Sequence, residues 1–130
     1  MNYSLGDAVS SGALYFAFDI SVASSSAYTG TSNDHEYFAH WGTNASFTSR
    51  VDLDLSGTGF TLGIASVSST AEVTLPSEAS FDTTYRLVVE YDFTTKISTL
   101  WLDPVTSESS NISTCAAGVG SSFAIDDFSI

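Results

Sequence analysis

Residues 85–104 read YRLVVEYDFTTKISTLWLDP, and this stretch restricts the possible folds more than any other. Leu87, Val89, Tyr91 and Phe93 alternate with Arg86, Val88, Glu90 and Asp92. One side is therefore apolar and the other charged except at Val88, which is the period of a half-buried β-strand. A second run alternates Leu100 and Leu102 with Thr99, Trp101 and Asp103. Thr94, Thr95 and Lys96 are the expected turn between the two, and Pro104 ends the second strand. A two-stranded ribbon with one apolar face is not stable in water alone. The rest of the chain must supply more strands and a second layer.

It does so in the same pattern. Phe16, Phe18, Ile20 and Val22 alternate with Tyr15, Ala17, Asp19 and Ser21. Residues 23–34 form a long loop rich in Ser and Thr, a candidate binding loop by its length. Residues 36–41 are the next expected strand, with Tyr37, Ala39 and Trp41 on one face and Phe38 and His40 on the other. In residues 47–55, Val51, Leu53 and Leu55 are expected inward, and Arg50, Asp52 and Asp54 outward. Phe60, Leu62 and Ile64 make another inward row, a short apolar piece precedes Pro76, and FAIDDFSI closes the chain. Residues 4–12 read as a polar lead, 106–113 as a Ser-rich loop and 116–122 as a small, flexible connection. No long window holds the 3.6-residue period of a helix. Short strands about ten residues apart indicate an all-β fold, an antiparallel β-sandwich with the jelly roll as its expected form. Residues 1–130 are one domain, expected to be a piece of a longer exported protein.

Composition narrows the partners. The formal charge is -12, and Arg50, Arg86 and Lys96 are the only cationic side chains apart from histidine. Nucleic acid and anionic membrane surfaces are met with Lys and Arg, so neither is an expected partner. No run is long and apolar enough for a membrane helix. Cys115 is the single cysteine, which excludes an internal disulfide and leaves an inert thiol or an intermolecular bridge.

The order LYFAFDISV, EYFAHWG, SRVDLDLSGTGFTLGIAS, TTYRLVVEYDFTTKISTLWLDP and FAIDDFSI resembles the laminin-G-like, concanavalin A-like lectin/glucanase jelly-roll domains of bacterial exported surface proteins. The resemblance implies two antiparallel sheets, one of them concave and used to hold sugar chains, and a structural calcium ion in some members. It also implies an extra first strand pairing near the C-terminus. Little before Leu14 supplies one, so an open sheet edge, or one filled by a neighbour, is expected. Glycanase members carry a Glu-x-Asp-x-x-Glu strand. Here Glu90-Tyr91-Asp92 is followed by Phe93, Thr94 and Thr95, so the last carboxylate is missing and catalysis does not carry over.

The candidate chemistry is sparse. Asp52 and Asp54 lie two apart on a strand, roughly 7 Å from each other on one face, with Arg50 in the same row. Such neighbours flank a glycosidic bond poorly; they suit sugar hydroxyls or an ion-paired, solvated face. Trp101 points away from the hairpin core in this alternation and is the best candidate for an aromatic platform under a sugar ring. His40 belongs to the one acid–histidine cluster, with Asp34, His35 and Glu36. The histidine spacing fits no standard zinc site, while Asp34 and Glu36 with loop carbonyls are candidate calcium ligands. Asp126 and Asp127 should point to opposite faces, one of them needing a partner. Asn2, Asn44 and Asn111 stand in Asn-x-Ser sequons. The expected function is a non-catalytic carbohydrate-binding or adhesion module of an extracellular, cell-surface protein, without a required cofactor. Alternatives are a structural subunit of a fibre or surface layer that self-associates through open sheet edges, and a degenerate glycan hydrolase.

Overall fold

The computed structural model describes residues 1–24, 35–43, 46–56, 58–105, 114–119 and 123–130, with the backbone alone at 35, 114, 115, 118 and 119. All regular structure in them is β. The strands are β1 (Asn2–Val9), β2 (Ala13–Ser21), β3 (His35–Gly42), β4 (Phe47–Leu55), β5 (Gly59–Ala65), β6 (Val73–Thr74), β7 (Ala79–Ser80), β8 (Thr84–Asp92), β9 (Ile97–Leu102), β10 (Thr114–Val119) and β11 (Ile125–Ser129). Sheet A runs β1-β11-β3-β4-β5-β6, with β7 also pairing β5, and sheet B runs β10-β9-β8-β2. Every pairing is antiparallel.

The 85–104 hairpin is the middle of sheet B. Leu87, Val89, Tyr91 and Leu100 are at most 1% exposed and face the partner sheet. Its turn is tied by Asp92, whose Oδ1 accepts from Thr94 N at 2.7 Å and Thr95 N at 3.0 Å. Those bonds hold the Asp92 carboxyl below the usual carboxylate range. Phe93, expected on the strand, is the first residue of this turn and packs its ring on Tyr91 at 5.0 Å.

The two layers close on an aromatic seam. Phe16 of sheet B stacks on Phe128 of sheet A with centroids 4.0 Å apart, and Trp41 meets Phe128 edge-on at 4.7 Å. Phe18 meets Phe38 at 6.2 Å. Burying each such ring contributes about 1.5–3 kcal/mol, and these contacts join β2, β3 and β11, which are far apart in sequence. At the other end of the interior the core is polar but satisfied. Ser98 Oγ lies 2.7 Å from Ser49 Oγ and 2.8 Å from Ser66 Oγ, and Thr48 Oγ1 donates to Ser66 O at 2.8 Å. Nothing in the alternation pattern marked Thr48, Ser49, Ser66 and Ser98 as interior, yet none is more than 1% exposed.

Several expectations are corrected. The polar lead is a strand: β1 pairs with β11 at Asn2↔Ser129, Tyr3↔Phe128 and Ser4↔Asp127. Its alternation is hidden because its side chains are almost all exposed and Gly6 (φ 85°) breaks the ladder. The place at the end of sheet A, expected to be open or filled by a neighbour, is therefore filled by β1 of this chain. Residues 116–119, expected within a small, flexible connection, belong instead to β10, which pairs with β9 and sets Cys115 opposite Leu100. A bulge in β3 displaces Tyr37 from the row of Ala39 and Trp41. Phe38 turns inward onto Phe18, and Tyr37 turns out.

Candidate functional site

The outer face of sheet A is where the chain places exposed aromatic and polar side chains together. Two irregularities build it. Tyr37 pairs with Asp52 but Ala39 pairs with Val51, so β3 carries one extra residue. Ala39 pairs with Val51 but Trp41 pairs with Thr48, so β4 then carries one extra as well, with Ser49 at φ 51°. The first bulge sends Tyr37 outward to join His40. The second lets both Thr48 and Ser49 turn inward while Phe47 and Arg50 stay outside.

The resulting cluster is aromatic with a cation over it. Tyr37 and Phe47 are 42% and 36% exposed, and their rings stack at 6.3 Å and 24°. His40 lies 5.0 Å from the Phe47 ring and 5.9 Å from the Tyr37 ring. The Arg50 guanidinium carbon sits 4.3 Å from the Phe47 centroid and 5.4 Å from that of Tyr37, within cation–π range. Arg50 Nη1 donates to Ser68 O, which anchors the guanidinium from the far side. Gly42 is required here. A Cβ at that position would come within 2.9 Å of Ser46 O and 3.3 Å of both His40 Cδ2 and Phe47 Cβ.

Beside this cluster lies an open hollow of about 210 Å³ lined by Asn2, Ser4, Gly6, Asp126 and Asp127. Asp127 is 8% exposed and accepts from Asn2 Nδ2 at 3.3 Å. The expected opposition of Asp126 and Asp127 fails because Ile125 and Phe128 both face the core. Two residues separate those inward positions, so strict alternation is lost, and Asp126 and Asp127 both line the hollow. His40 links the hollow to the rings. Burial pushes its pKa below the ordinary value; Asp127 opposes that shift and Arg50 adds to it. The imidazole is thus neutral at pH 7, with one donor and one acceptor nitrogen for a polar ligand.

Other expected site residues are placed differently. Asp52 is fully buried, not solvated. In register it lies between Tyr37 and Gly63, and a Cβ on Gly63 would meet Ala71 Cβ at 2.6 Å. The 66–72 loop therefore folds back over the outer face at this point. Glu72 Oε1 fixes that loop by accepting from the N–H groups of Ser66, Val67 and Ser68 at 3.2, 3.0 and 3.2 Å. Asp54 keeps its outward place opposite Thr61. Trp101 does face away from the core of the hairpin, opposite Val88, but it is only 5% exposed and is no open platform. Tyr15 stacks on it at 6.4 Å, and the Tyr15 hydroxyl donates to Glu90 Oε1 at 2.6 Å.

Asp34 of the expected calcium pair, like the sequons at Asn44 and Asn111, lies outside the described residues. Glu36 is exposed and pairs with Leu53, on the side opposite to Tyr37. Among the described residues no group of three or more His, Cys, Asp or Glu side chains is arranged to hold a metal ion. Tyr37 and Phe47 were missed as a pair because only the bulges bring them to one face. No family model, curated protein or solved structure matches this chain.

Proposed function

We propose that this domain is a non-catalytic carbohydrate-binding module of an exported surface protein, and that the outer face of sheet A holds the sugar. The observation that carries the reading is the solvent-open Tyr37–Phe47 pair braced by Arg50. A pyranose ring offers an apolar C–H face that suits such a platform, and its hydroxyls need donors and acceptors at the rim. His40, Asp54 and the Asp127–Asn2 pair supply them on the same face. The net charge of -12 favours a neutral glycan over an anionic one.

A non-catalytic role is supported by what the strand carboxylates do. Glu90 accepts from Tyr15, Asp92 ties a turn, and Asp19 pairs with Arg86 at 3.0 Å. The two-sheet arrangement, with β1 returning beside β11 and the β8–β9 hairpin central to sheet B, supports a jelly roll of the concanavalin A-like kind. Affinity electrophoresis through gels of neutral β-glucan, mannan, galactan and xylan tests the binding role, with a glycan array beside it. Retardation by at least one polymer, lost in Tyr37→Ala, is the expected result. A chain retarded by none and bound by no arrayed glycan would overturn the reading.

A further inference from the structure

Two outward rows of sheet A can be followed from strand to strand. Ser4 of β1 pairs with Asp127 of β11, Asp127 with Gly42 of β3, and Gly42 with Phe47 of β4. The other row runs from Asn2 through Ser129 to His40. The row between them, Tyr3, Phe128 and Trp41, points into the sandwich. Phe128 and Trp41 are at most 1% exposed, and the Tyr3 ring lies 5.0 Å from that of Phe16 in sheet B. Directly paired residues of an antiparallel sheet share a face. Asp127 and Phe47 therefore stand on one surface, two strand spacings or roughly 10 Å apart. Gly42 between them has no side chain. The aromatic platform and the hollow lined by Ser4, Asp126 and Asp127 are thus neighbouring parts of the same face.

The hollow holds negative charge that nothing balances. Asp127 is 8% exposed. The hydrogen bonds that reach its carboxylate come from neutral groups and are long, from Asn2 Nδ2 at 3.3 Å and Ser129 Oγ at 3.5 Å. Asp126 adds a second carboxylate to the lining, and neither Lys nor Arg belongs to it. The cations are engaged or placed elsewhere. Arg50 and the Met1 ammonium donate to backbone carbonyls, Arg86 pairs with Asp19, and Lys96 sits in the hairpin turn of sheet B. His40, beside Asp127, is kept neutral by burial. A carboxylate buried this deeply without a counter-charge is costly. A cation arriving from solvent relieves that cost, whereas a sugar hydroxyl supplies only another neutral donor.

We propose that this hollow receives the protonated amine of an amino sugar, so that the ligand is a glycan with free, non-acetylated amino groups. The inference rests on the sugar-binding reading and adds the chemical class of the sugar. One ring lies on Tyr37 and Phe47, and the ammonium of that unit or the next reaches over Gly42 to Asp127. A charge-assisted hydrogen bond there is shorter and roughly twice as strong as one from a hydroxyl. The chain's net charge of -12 also draws a polycation to the surface.

The test is isothermal titration of the chain, at slightly acidic pH and low ionic strength, with a β-linked glucosamine oligomer and with the glucose oligomer of the same linkage and length. The amino oligomer should bind about tenfold more tightly, and added salt should shrink the difference. Asp127→Asn keeps the shape and should bring the two affinities together. Because Asp127 is buried, Ser4→Lys serves as a second variant. Ser4 is exposed and lies opposite Asp127, so a tethered ammonium there should fill the hollow and cancel the preference. Circular dichroism and binding of the glucose oligomer should be unchanged. Equal affinities in the wild type, or a preference that survives either folded variant, overturn the amine assignment and leave the sugar-binding reading standing. So does a wild type that binds other glycans but not the amino oligomer. A wild type that binds neither oligomer nor any arrayed glycan overturns both.

Discussion

The outer faces of the two sheets use the same ingredients and reach opposite results. Sheet B sets Tyr15, Val88 and Trp101 outward among Asp19, Arg86 and Glu90. Sheet A sets Tyr37 and Phe47 outward with His40, Arg50 and Asp54. On sheet B the largest ring is submerged at 5% exposure, and the ring beside it is tied by its hydroxyl to Glu90. The cation there is spent on Asp19 at 3.0 Å. On sheet A the rings stay open, and the cation lies over them. An outward position in the alternation is thus not the same as an accessible one. A large side chain on a flat face is covered when its neighbours are long enough to close around it.

The largest contrast should come from truncating one ring on each face. Trp101→Ala removes a buried indole and should destabilise the domain by about 3–5 kcal/mol, read as a lower denaturant midpoint, while the folded fraction still binds glycan. If Trp101→Ala instead left stability unchanged and abolished binding, the two faces would exchange roles. Tyr37→Ala should do the reverse. Stability should change little, and affinity should fall roughly tenfold, the equivalent of about 1.4 kcal/mol, in isothermal titration with the retarding glycan.

Gly42→Ala is a subtler way to damage sheet A. The added Cβ would crowd Ser46 O, His40 and Phe47. We expect a loss of about 1–3 kcal/mol together with weaker glycan binding, since the ring that moves belongs to the platform. Loss of stability without loss of binding would separate Phe47 from the site.

The smallest expected effect is a pH dependence confined to sheet A. Burial holds the folded pKa of His40 below its ordinary value of 6.5. The folded state therefore binds this proton less tightly than the unfolded chain does. The associated stability is complete above pH 6.5 and is lost as the pH falls from there through the lowered value. His40→Gln should flatten this part of a stability-versus-pH curve, whereas Tyr15→Phe on sheet B should leave its shape alone. A curve unchanged by His40→Gln would assign the dependence to another group.

Much of the fold was legible in the chain. Leu87, Val89 and Tyr91 announced their strand by period alone, and all three are buried. The site was far less so. Trp101 looked like a platform because its position alternates outward, and Asp52 looked solvated for the same reason. What covers Asp52 comes from residues distant in sequence, the loop around Ser68 and Ala71 packed over Gly63. Strict alternation puts Tyr37 on one face with Ala39 and Trp41; one extra residue in β3 breaks that row, and no local signal marks where such a residue falls.

The order of residues alone therefore settled that this chain makes two apolar-faced antiparallel layers, since a two-residue period needs only near neighbours to be read. Tertiary structure decided which outward side chains meet water, that β1 closes the end of sheet A, and that Tyr37, His40, Phe47 and Arg50 share one surface. The physical reason is range. Periodicity is a property of adjacent residues, whereas exposure and register depend on contacts made across the whole sandwich.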